Sequence, residues 1–316
     1  MKACVLSEPR KCVVCDVPIP EIGDEDVLIR VVVCGVCASE LPKWMNGFGD
    51  GSYILGHEPV GYIESCGKNV KGFKIGDRVT CITPHAFAEY VKVDYRNIVN
   101  VPENLEDKEA LGDPVSCLVS GANRTDVQLG DTVAVIGAGF MGLGFMQLMR
   151  LKGAARIIAV DVNKNSLQNA LRFGADIALL PSEVDDCYKI SETGKYEGGV
   201  NVAVEASGSA SGLTLAGEMT GVHGILSIVG YHQNGMREIN MKLWNWKAIS
   251  VVNAHERRND VYNKCMKSGL SLISSGLLNM KDMITDELCM DEVNKAFDFF
   301  INRPENSIKS IIRIQR

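Results

Sequence analysis

The sequence predicts an α/β fold made of a β-rich module and a doubly wound parallel sheet. Its 316 residues exceed one comfortable hydrophobic core, so two domains are expected. Roughly the first 110 residues contain short strand-like runs cut by glycine and proline. From residue 119 onward a strand, a glycine turn and a helix recur, which is typical of a parallel sheet with helices on both faces.

The β-rich module begins the chain, and we expect it also to end the chain. Its strand candidates are the runs "VLIRVVV", "PVGYIESCG", "DRVTCI" and "AFAEYVKV". The closing run "SIKSIIRI" has strand character but no neighbouring strand, so it should return to this module. The predicted domains are therefore residues 1–118 with 262–316, and residues 119–261.

The second module alternates buried strands with amphipathic helices. "DTVAVIGAG" leads into "FMGLGFMQLMRLKG", "RIIAVDV" into "NKNSLQNALRFG", and "VNVAVEASG" into "SASGLTLAGEMT". The runs "GILSIVG" and "AISVVNA" follow as further strands. This order predicts the doubly wound sheet.

Composition and charge exclude several function classes. The chain is 46% hydrophobic and 23% charged, with no unbroken apolar run of about 18 residues and no basic-then-apolar leader. We therefore expect a cytoplasmic protein without a membrane span. The net charge of −6 comes without a concentrated Lys/Arg stripe, which argues against nucleic acid as a partner and favours a small molecule.

Eleven cysteines in a long chain without a leader indicate buried thiols and metal ligands rather than disulfides. Cys12, Cys15, Cys34 and Cys37 have the C-x2-C-x18-C-x2-C spacing of many structural zinc sites. However, "KCVVCDV" has the β-branched residues of a strand, where positions 12 and 15 point to opposite faces. We therefore interpret Cys12 and Cys15 as strand thiols rather than zinc ligands.

A dinucleotide site is predicted by "IGAGFMG", which places a G-x-G-x-x-G turn between a strand and a helix. Such glycines permit a tight turn, close approach of a pyrophosphate, and packing of the helix on the strand. Asp161 ends the next strand, 19 residues after the last glycine, where an acid accepts hydrogen bonds from a ribose. Its carboxylate would repel a 2′-phosphate, so NAD is favoured over NADP. The predicted cofactor-binding set is Gly137, Gly139, Phe140, Met141, Gly142 and Asp161.

A metal site is predicted from Cys37, which follows the apolar run "VLIRVVV", and from the donors that could complete its coordination sphere. "CGVCASE" supplies Cys37 and "GHE" supplies His57 and Glu58, while Asp113 in "LGDPVSC" offers a further oxygen. Zinc accepts thiolate, imidazole and carboxylate ligands together, and a catalytic zinc leaves one position open for water or substrate. Cys37, His57, Glu58 and Asp113 are therefore the candidate ligands.

Six motifs, in their order and spacing, resemble the zinc-dependent medium-chain dehydrogenase/reductase family, particularly its polyol branch. They are "CGVCASE", "GHEPVGYIESCGKNVKGFKIGDRV", "AFAEYVKV", "LGDPVSC", "VIGAGFMG" and "VDVN". The resemblance implies a GroES-like catalytic domain around a Rossmann domain, with one catalytic zinc per chain. It also implies that Cys37 and His57 are zinc ligands, and that Glu58 binds zinc directly or exchanges with water. Asp113 stands where the polyol branch has a glutamate ligand, and Ser39 matches the hydroxyl that passes on the substrate's proton.

Two departures from the family pattern stand out. Many members carry a four-cysteine lobe with a structural zinc, but here only "ITPH" separates "GDRVTC" from "AFAEY", so we expect no second zinc. A histidine that often ends the proton relay is replaced by Pro42. Lys43, His85 or a bound water are the candidates for that outer position.

The predicted activity is hydride transfer between NAD(H) and a secondary alcohol or ketone, with a polyol, cyclitol or sugar derivative as substrate. Trp244, Trp246 and His255 suggest a ring-stacking surface for such a substrate, with packing as the equal alternative. The alternatives to this activity are a zinc-free NADPH-dependent quinone or enoyl reductase and a non-catalytic nucleotide-binding protein. By analogy with the family, we expect a homodimer or homotetramer.

Overall fold

The computed structural model describes residues 1–48, 53–302 and 304–314, and its backbone divides into two compact units. The first unit contains residues 1–116 and 258–316, and the second contains residues 117–257.

The described residues of the first unit begin with eight strands and one short helix. The strands are β1 (Lys2–Glu8), β2 (Lys11–Asp16), β3 (Asp26–Gly35), β4 (Tyr53–Ile54), β5 (Glu58–Cys66), β6 (Arg78–Cys81), β7 (Tyr90–Asp94) and β8 (Ile98–Asn100), and the helix is α1 (Leu41–Asn46). Helix α2 (Gly112–Arg124) then leads into the second unit. Alternating burial along β3 reflects its apolar residues, which face the core at every second position.

The second unit is the predicted doubly wound sheet. Its elements are β9 (Thr132–Ile136), α3 (Phe140–Leu151), β10 (Arg156–Val160), α4 (Lys164–Arg172), β11 (Ile177–Leu179), β12 (Val200–Glu205), α5 (Ala210–Met219), β13 (Thr220–Ile228), α6 (Met241–Lys247) and β14 (Ser250–Asn253). The strand order is β11-β10-β9-β12-β13-β14, and every neighbouring pair is parallel. This order places the turn after β9 at the switch point of the sheet, where ligands bind in such folds.

The chain ends in the first unit, as the sequence predicted. Its last elements are α7 (Asn259–Ser274), β15 (Ile284–Cys289), α8 (Val293–Asn302) and β16 (Lys309–Arg313). Strand β16 pairs antiparallel with β3, so "SIKSIIRI" does return to the first module. The unit has a sheet ordered β15-β16-β3-β5-β6-β8, with β7 also on β3, and a second sheet ordered β2-β1-β4.

Each unit has its own hydrophobic core. In the first unit Trp44 stacks on Phe297 with ring centroids 5.3 Å apart, and both side chains are buried. In the second unit Trp244 lies in the core with 8% of its surface exposed, while Trp246 contacts Tyr196. The hypothesis that Trp244 stacks on a sugar is therefore wrong, because its ring is taken up by packing.

The predicted strand position of the first cysteine pair is confirmed. Cys12 and Cys15 both lie in β2, where Cys12 is buried and Cys15 is half-buried. No helix in the described part of the chain is long and apolar enough to cross a membrane.

Candidate metal and nucleotide sites

Cys37 and Ser39 lie where β3 ends and a helical turn begins. The turn Ala38–Glu40 follows Cys37 and continues into α1. Ser39 Oγ donates a hydrogen bond to Cys37 Sγ at 3.2 Å, and the serine is exposed. The thiol and the hydroxyl thus lie side by side just after the end of β3.

His57 and Glu58 reach the same place from the segment that enters β5. One ligand atom from each of Cys37, His57 and Glu58 lies within 4.8 Å of the other two. Within residues 1–48, 53–302 and 304–314, these three form the one cluster of His, Cys, Asp and Glu close enough to share an ion. Thiolate, imidazole and carboxylate are the donor set of a catalytic zinc site, so the residues present fit that metal.

Glu58 has a close cationic neighbour and a glycine beneath it. Lys309 Nζ lies 2.6 Å from Glu58 Oε2, with the two side chains 5% and 1% exposed. A Cβ on Gly35 would lie 1.9 Å from Glu58 Oε2, so only glycine leaves room for the carboxylate there. A metal at this site would therefore share Glu58 with an ammonium group.

Glu40 orients His57, a role that the sequence analysis did not assign. Glu40 Oε1 lies 3.2 Å from His57 Nδ1 and accepts a hydrogen bond from Gly56 N at 2.8 Å. A carboxylate on one ring nitrogen fixes the tautomer and leaves Nε2 available as a ligand. The signal in the sequence was the acid three residues after Cys37, at the end of "CGVCASE".

Asp113 is brought to His57 but does not belong to the group of three. Its Oδ2 lies 3.7 Å from His57 Nε2, and its Oδ1 accepts a hydrogen bond from Tyr262 Oη. Burial and the charge of Glu58 raise the pKa of Asp113 to about 6. Asp113 thus lies beside His57, and one of its two carboxylate oxygens already accepts a hydrogen bond from Tyr262.

The electrostatics of this cluster favour a bound cation. Burial by itself would lower the pKa of His57, but hydrogen bonds to Cys37 and Glu40 outweigh it and raise the pKa to about 12. The metal-free cluster therefore keeps an extra proton on His57 to balance its acids. A divalent cation can replace that proton, because metal binding to His and Cys releases protons.

The predicted nucleotide turn joins β9 to α3. Gly137 has φ +100°, and a Cβ there would lie 2.6 Å from Ser207 N. A Cβ on Gly142 would lie 1.9 Å from Gly137 O, whereas a Cβ on Gly139 would meet nothing within 4 Å. Two glycines are thus required by the turn itself, and the open side of Gly139 is the face available to a ligand. Phe140 and Met141 are half-buried and begin α3.

Asp161 closes the other side of this turn. Its Oδ2 accepts a hydrogen bond from Ala138 N and its Oδ1 accepts one from Asn163 N, both at 2.8 Å. The carboxylate is therefore fixed at the end of β10, next to the glycine turn, where a ribose-binding acid is expected.

A polar chain that the sequence analysis missed supports the turn. Glu205 is buried at the end of β12, where its Oε1 accepts hydrogen bonds from Ser207 N and Gly208 N. Its Oε2 lies 2.8 Å from His232 Nε2, and Arg237 Nε donates to His232 Nδ1. These hydrogen bonds hold the loop that contains Ser207, which packs against Gly137.

Two family models match the chain. "Alcohol dehydrogenase GroES-like domain" matches residues 23–103, and "Zinc-binding dehydrogenase" matches residues 141–274. Together they cover more than half of the sequence.

Similar proteins align over nearly the whole chain. A sorbitol dehydrogenase of Bacillus subtilis is 28% identical over 99% of this chain and 97% of its own length. An alcohol dehydrogenase of Cupriavidus necator is 27% identical over 99% of this chain and 98% of its own. The solved structure of the alcohol dehydrogenase TADH from Thermus sp. ATN1 superposes with a TM-score of 0.86, covers 99% of both chains and is 24% identical.

Proposed function

Because the chain belongs to the medium-chain dehydrogenase/reductase family and is an oxidoreductase related to alcohol and polyol dehydrogenases, we propose that it oxidises a secondary alcohol with NAD at a single zinc site. The reverse reaction reduces the ketone. The substrate class proposed is a polyol, cyclitol or sugar derivative. The observation that carries the proposal is the meeting of Cys37, His57 and Glu58, with Ser39 beside Cys37.

The first unit would hold the metal through Cys37, His57 and Glu58, with Asp113 next to His57. Zinc bound there would act as a Lewis acid that lowers the pKa of the bound alcohol, so that its alkoxide can form near neutral pH. Glu40 keeps His57 in the tautomer that presents Nε2. Lys309 balances the charge of Glu58 and limits how much negative charge that residue delivers to the site.

Ser39 is the proposed carrier of the alcohol proton. Its hydroxyl is exposed and lies 3.2 Å from a predicted ligand atom, so it can accept a proton from a hydroxyl bound beside Cys37 and donate its own outward. The glycine turn and Asp161 of the second unit would bind NAD, and its nicotinamide ring would supply the hydride acceptor for the carbon that bears the alcohol.

The test combines metal content with turnover. We expect about one zinc per chain by elemental mass spectrometry. We also expect NADH absorbance at 340 nm to appear with sorbitol, xylitol or myo-inositol, and to stop when a chelator is added. His57→Ala should lose both the zinc and the activity, whereas the matched strand variant Cys12→Ser should keep both. Bound nucleotide without zinc or alcohol turnover would contradict the proposal and favour a zinc-free reductase.

A further inference from the structure

Lys43 lies one helical turn after Ser39. The turn Ala38–Glu40 runs without interruption into α1, with Glu40 and Leu41 both in helical conformation. Residues four apart in a helix share a face, so the side chains of Lys43 and Ser39 leave this segment on the same side. Both side chains are exposed. A ligand contacting Ser39 therefore has Lys43 as a neighbour about 5–6 Å further along the helix.

Aromatic rings hold the Lys43 side chain in place. Its Nζ lies 4.7 Å from the centroid of the Tyr53 ring and 5.6 Å from that of Phe48, and it donates to Tyr53 Oη at 3.4 Å. The two rings pack with centroids 4.4 Å apart. No carboxylate in the described ranges of the chain lies within 4.0 Å of this Nζ. The ammonium is thus oriented by rings and a phenol without having its charge cancelled.

His85 joins this cluster from the short turn that replaces the missing lobe. Its backbone has φ +66°, a left-handed conformation uncommon for a residue with a side chain. Its Nδ1 lies 3.1 Å from Ile54 O, and its ring lies 4.8 Å from the Tyr53 ring. The turn is also tied to the metal-site segment, since Ala86 N donates to Gly56 O at 2.9 Å. The same backbone therefore positions His57 and this second group of donors.

We propose that Lys43 and Tyr53, with His85 beside them, bind an anionic group of the alcohol substrate, a phosphate ester or a carboxylate. The inference rests on the proposed function, because it names the class of alcohol that is oxidised beside Ser39. Lys43 Nζ supplies a full positive charge and Tyr53 Oη a hydroxyl donor, and hydrogen bonds between charged donors and anionic oxygens are the strong ones. One helical turn between Ser39 and Lys43 matches an anionic group a few carbon atoms from the reacting hydroxyl.

The experiment compares each polyol with its anionic counterpart. We would measure kcat/KM for sorbitol, sorbitol 6-phosphate and gluconate, and for myo-inositol and its 1-phosphate, with the zinc-loaded full chain. Wild type should favour at least one anionic member roughly tenfold or more over its neutral partner, mainly through KM. The phosphate and carboxylate arms identify which anion is bound.

Variants then assign the preference to Lys43. Lys43→Met should lower the anionic-to-neutral ratio of kcat/KM about tenfold or more, and Lys43→Arg should retain part of it. Lys92→Met, which removes an exposed lysine of β7, should leave the ratio unchanged. Inorganic phosphate should compete with the alcohol in wild type and compete less well in Lys43→Met.

Two results would overturn the inference while leaving the proposed function intact. One is equal kcat/KM for charged and neutral members in wild type. The other is an equal loss on both classes in Lys43→Met, which would place the lysine in the alcohol step or in packing. A chain that oxidises no alcohol of either class and binds no zinc would instead reject the proposed function, and this inference with it.

Discussion

Lys309 Nζ lies 2.6 Å from Glu58 Oε2, and this ion pair is buried beside the predicted zinc ligands Cys37 and His57. Burial by itself lowers the pKa of Lys309, but the charges of Glu58 and Cys37 outweigh it and raise the pKa. The pair places an ammonium group from β16 at the site, in direct contact with the carboxylate of Glu58. Glu58 consequently has a cationic partner in the metal-free protein.

Replacing Lys309 should destabilise the metal-free protein. Lys309→Met leaves the Glu58 carboxylate buried without its cation, and breaking a buried pair from one side costs about 3–5 kcal/mol. We expect the free energy of unfolding in urea, measured with a chelator present, to fall by roughly that amount. The double variant Lys309→Met with Glu58→Gln should recover most of the loss, because the uncompensated charge is then gone. A single variant as stable as wild type would show that Glu58 has another partner.

Removing the charge of Glu40 should weaken metal binding. Glu40 Oε1 lies 3.2 Å from His57 Nδ1, and partners of this kind typically contribute 10- to 100-fold to metal affinity, so Glu40→Gln should lose about tenfold or more. Competition with a chromophoric chelator measures the zinc affinity. Glu106→Gln, an exposed acid of the same unit, serves as the control and should leave it unchanged. Equal affinities for wild type and Glu40→Gln would mean that Glu40 does not orient the ligand.

The glycine turn offers two substitutions with opposite consequences. Gly139→Ala places a methyl group in open space at φ −78°, so the free energy of unfolding should change by no more than about 1 kcal/mol, the cost of a poorer helix cap. NAD affinity should fall at least roughly tenfold, because the methyl group occupies the face that the pyrophosphate approaches. Fluorescence titration with NADH measures this.

Gly137→Ala is the contrasting variant. The residue has φ +100°, and the added methyl group would lie 2.6 Å from Ser207 N, so this change should destabilise the nucleotide-free protein itself. Thermal unfolding without nucleotide separates the two variants. A Gly139→Ala variant less stable than Gly137→Ala would contradict the open space beside Gly139. A Gly139→Ala variant that kept its NAD affinity would show that the nucleotide does not approach that face.

The preference between NAD and NADP should depend on Asp161. Its carboxylate accepts hydrogen bonds from Ala138 N and Asn163 N, and we expect a negative charge held there to repel a 2′-phosphate. Asp161→Ser should therefore raise the ratio of kcat/KM for NADP to that for NAD by about tenfold or more, since one close charge repulsion is removed. Asp185→Ser, which removes an exposed acid of the same unit, should leave the ratio as it is. An unchanged ratio in Asp161→Ser would contradict the assigned role.

The sequence was sufficient where a site is local in the chain. Gly137, Gly139, Gly142 and the strand bearing Asp161 follow one another within a single β-turn-α-β segment, so periodicity and spacing predict both the fold and the turn. Prediction failed where a partner comes from a distant segment. Lys309 meets Glu58 only because β16 and β5 both pair with β3, and that order cannot be read from either segment alone.

Residue type alone also misleads when packing competes with chemistry. Trp244 suggested a stacking surface, but α6 turns its ring into the core of the second unit. Asp113 was predicted as a zinc ligand on the family pattern, which stays a prediction. The structure adds that Tyr262, a residue of α7, donates a hydrogen bond to it. Neither the packing of Trp244 nor the hydrogen bond from Tyr262 to Asp113 can be read from the few residues that flank these side chains in the sequence.

Lys247 should make stability rise with pH. The side chain is fully buried, and its Nζ donates to carbonyls at the end of α5 and just beyond it, including Glu218 O at 3.2 Å and Thr220 O at 2.6 Å. Burial lowers its pKa from 10.5 to about 8. The unfolded chain therefore binds more protons between pH 8 and 10.5, so the cost of burying the ammonium falls as pH rises through that window. Relative to Lys247→Met, wild type should gain about 1–2 kcal/mol of unfolding free energy between pH 7.5 and 9.5. Parallel urea titrations of both proteins at the two pH values measure the difference. A difference between the two proteins that stayed the same at both pH values would show that the carbonyl groups hold the ammonium charged throughout this window.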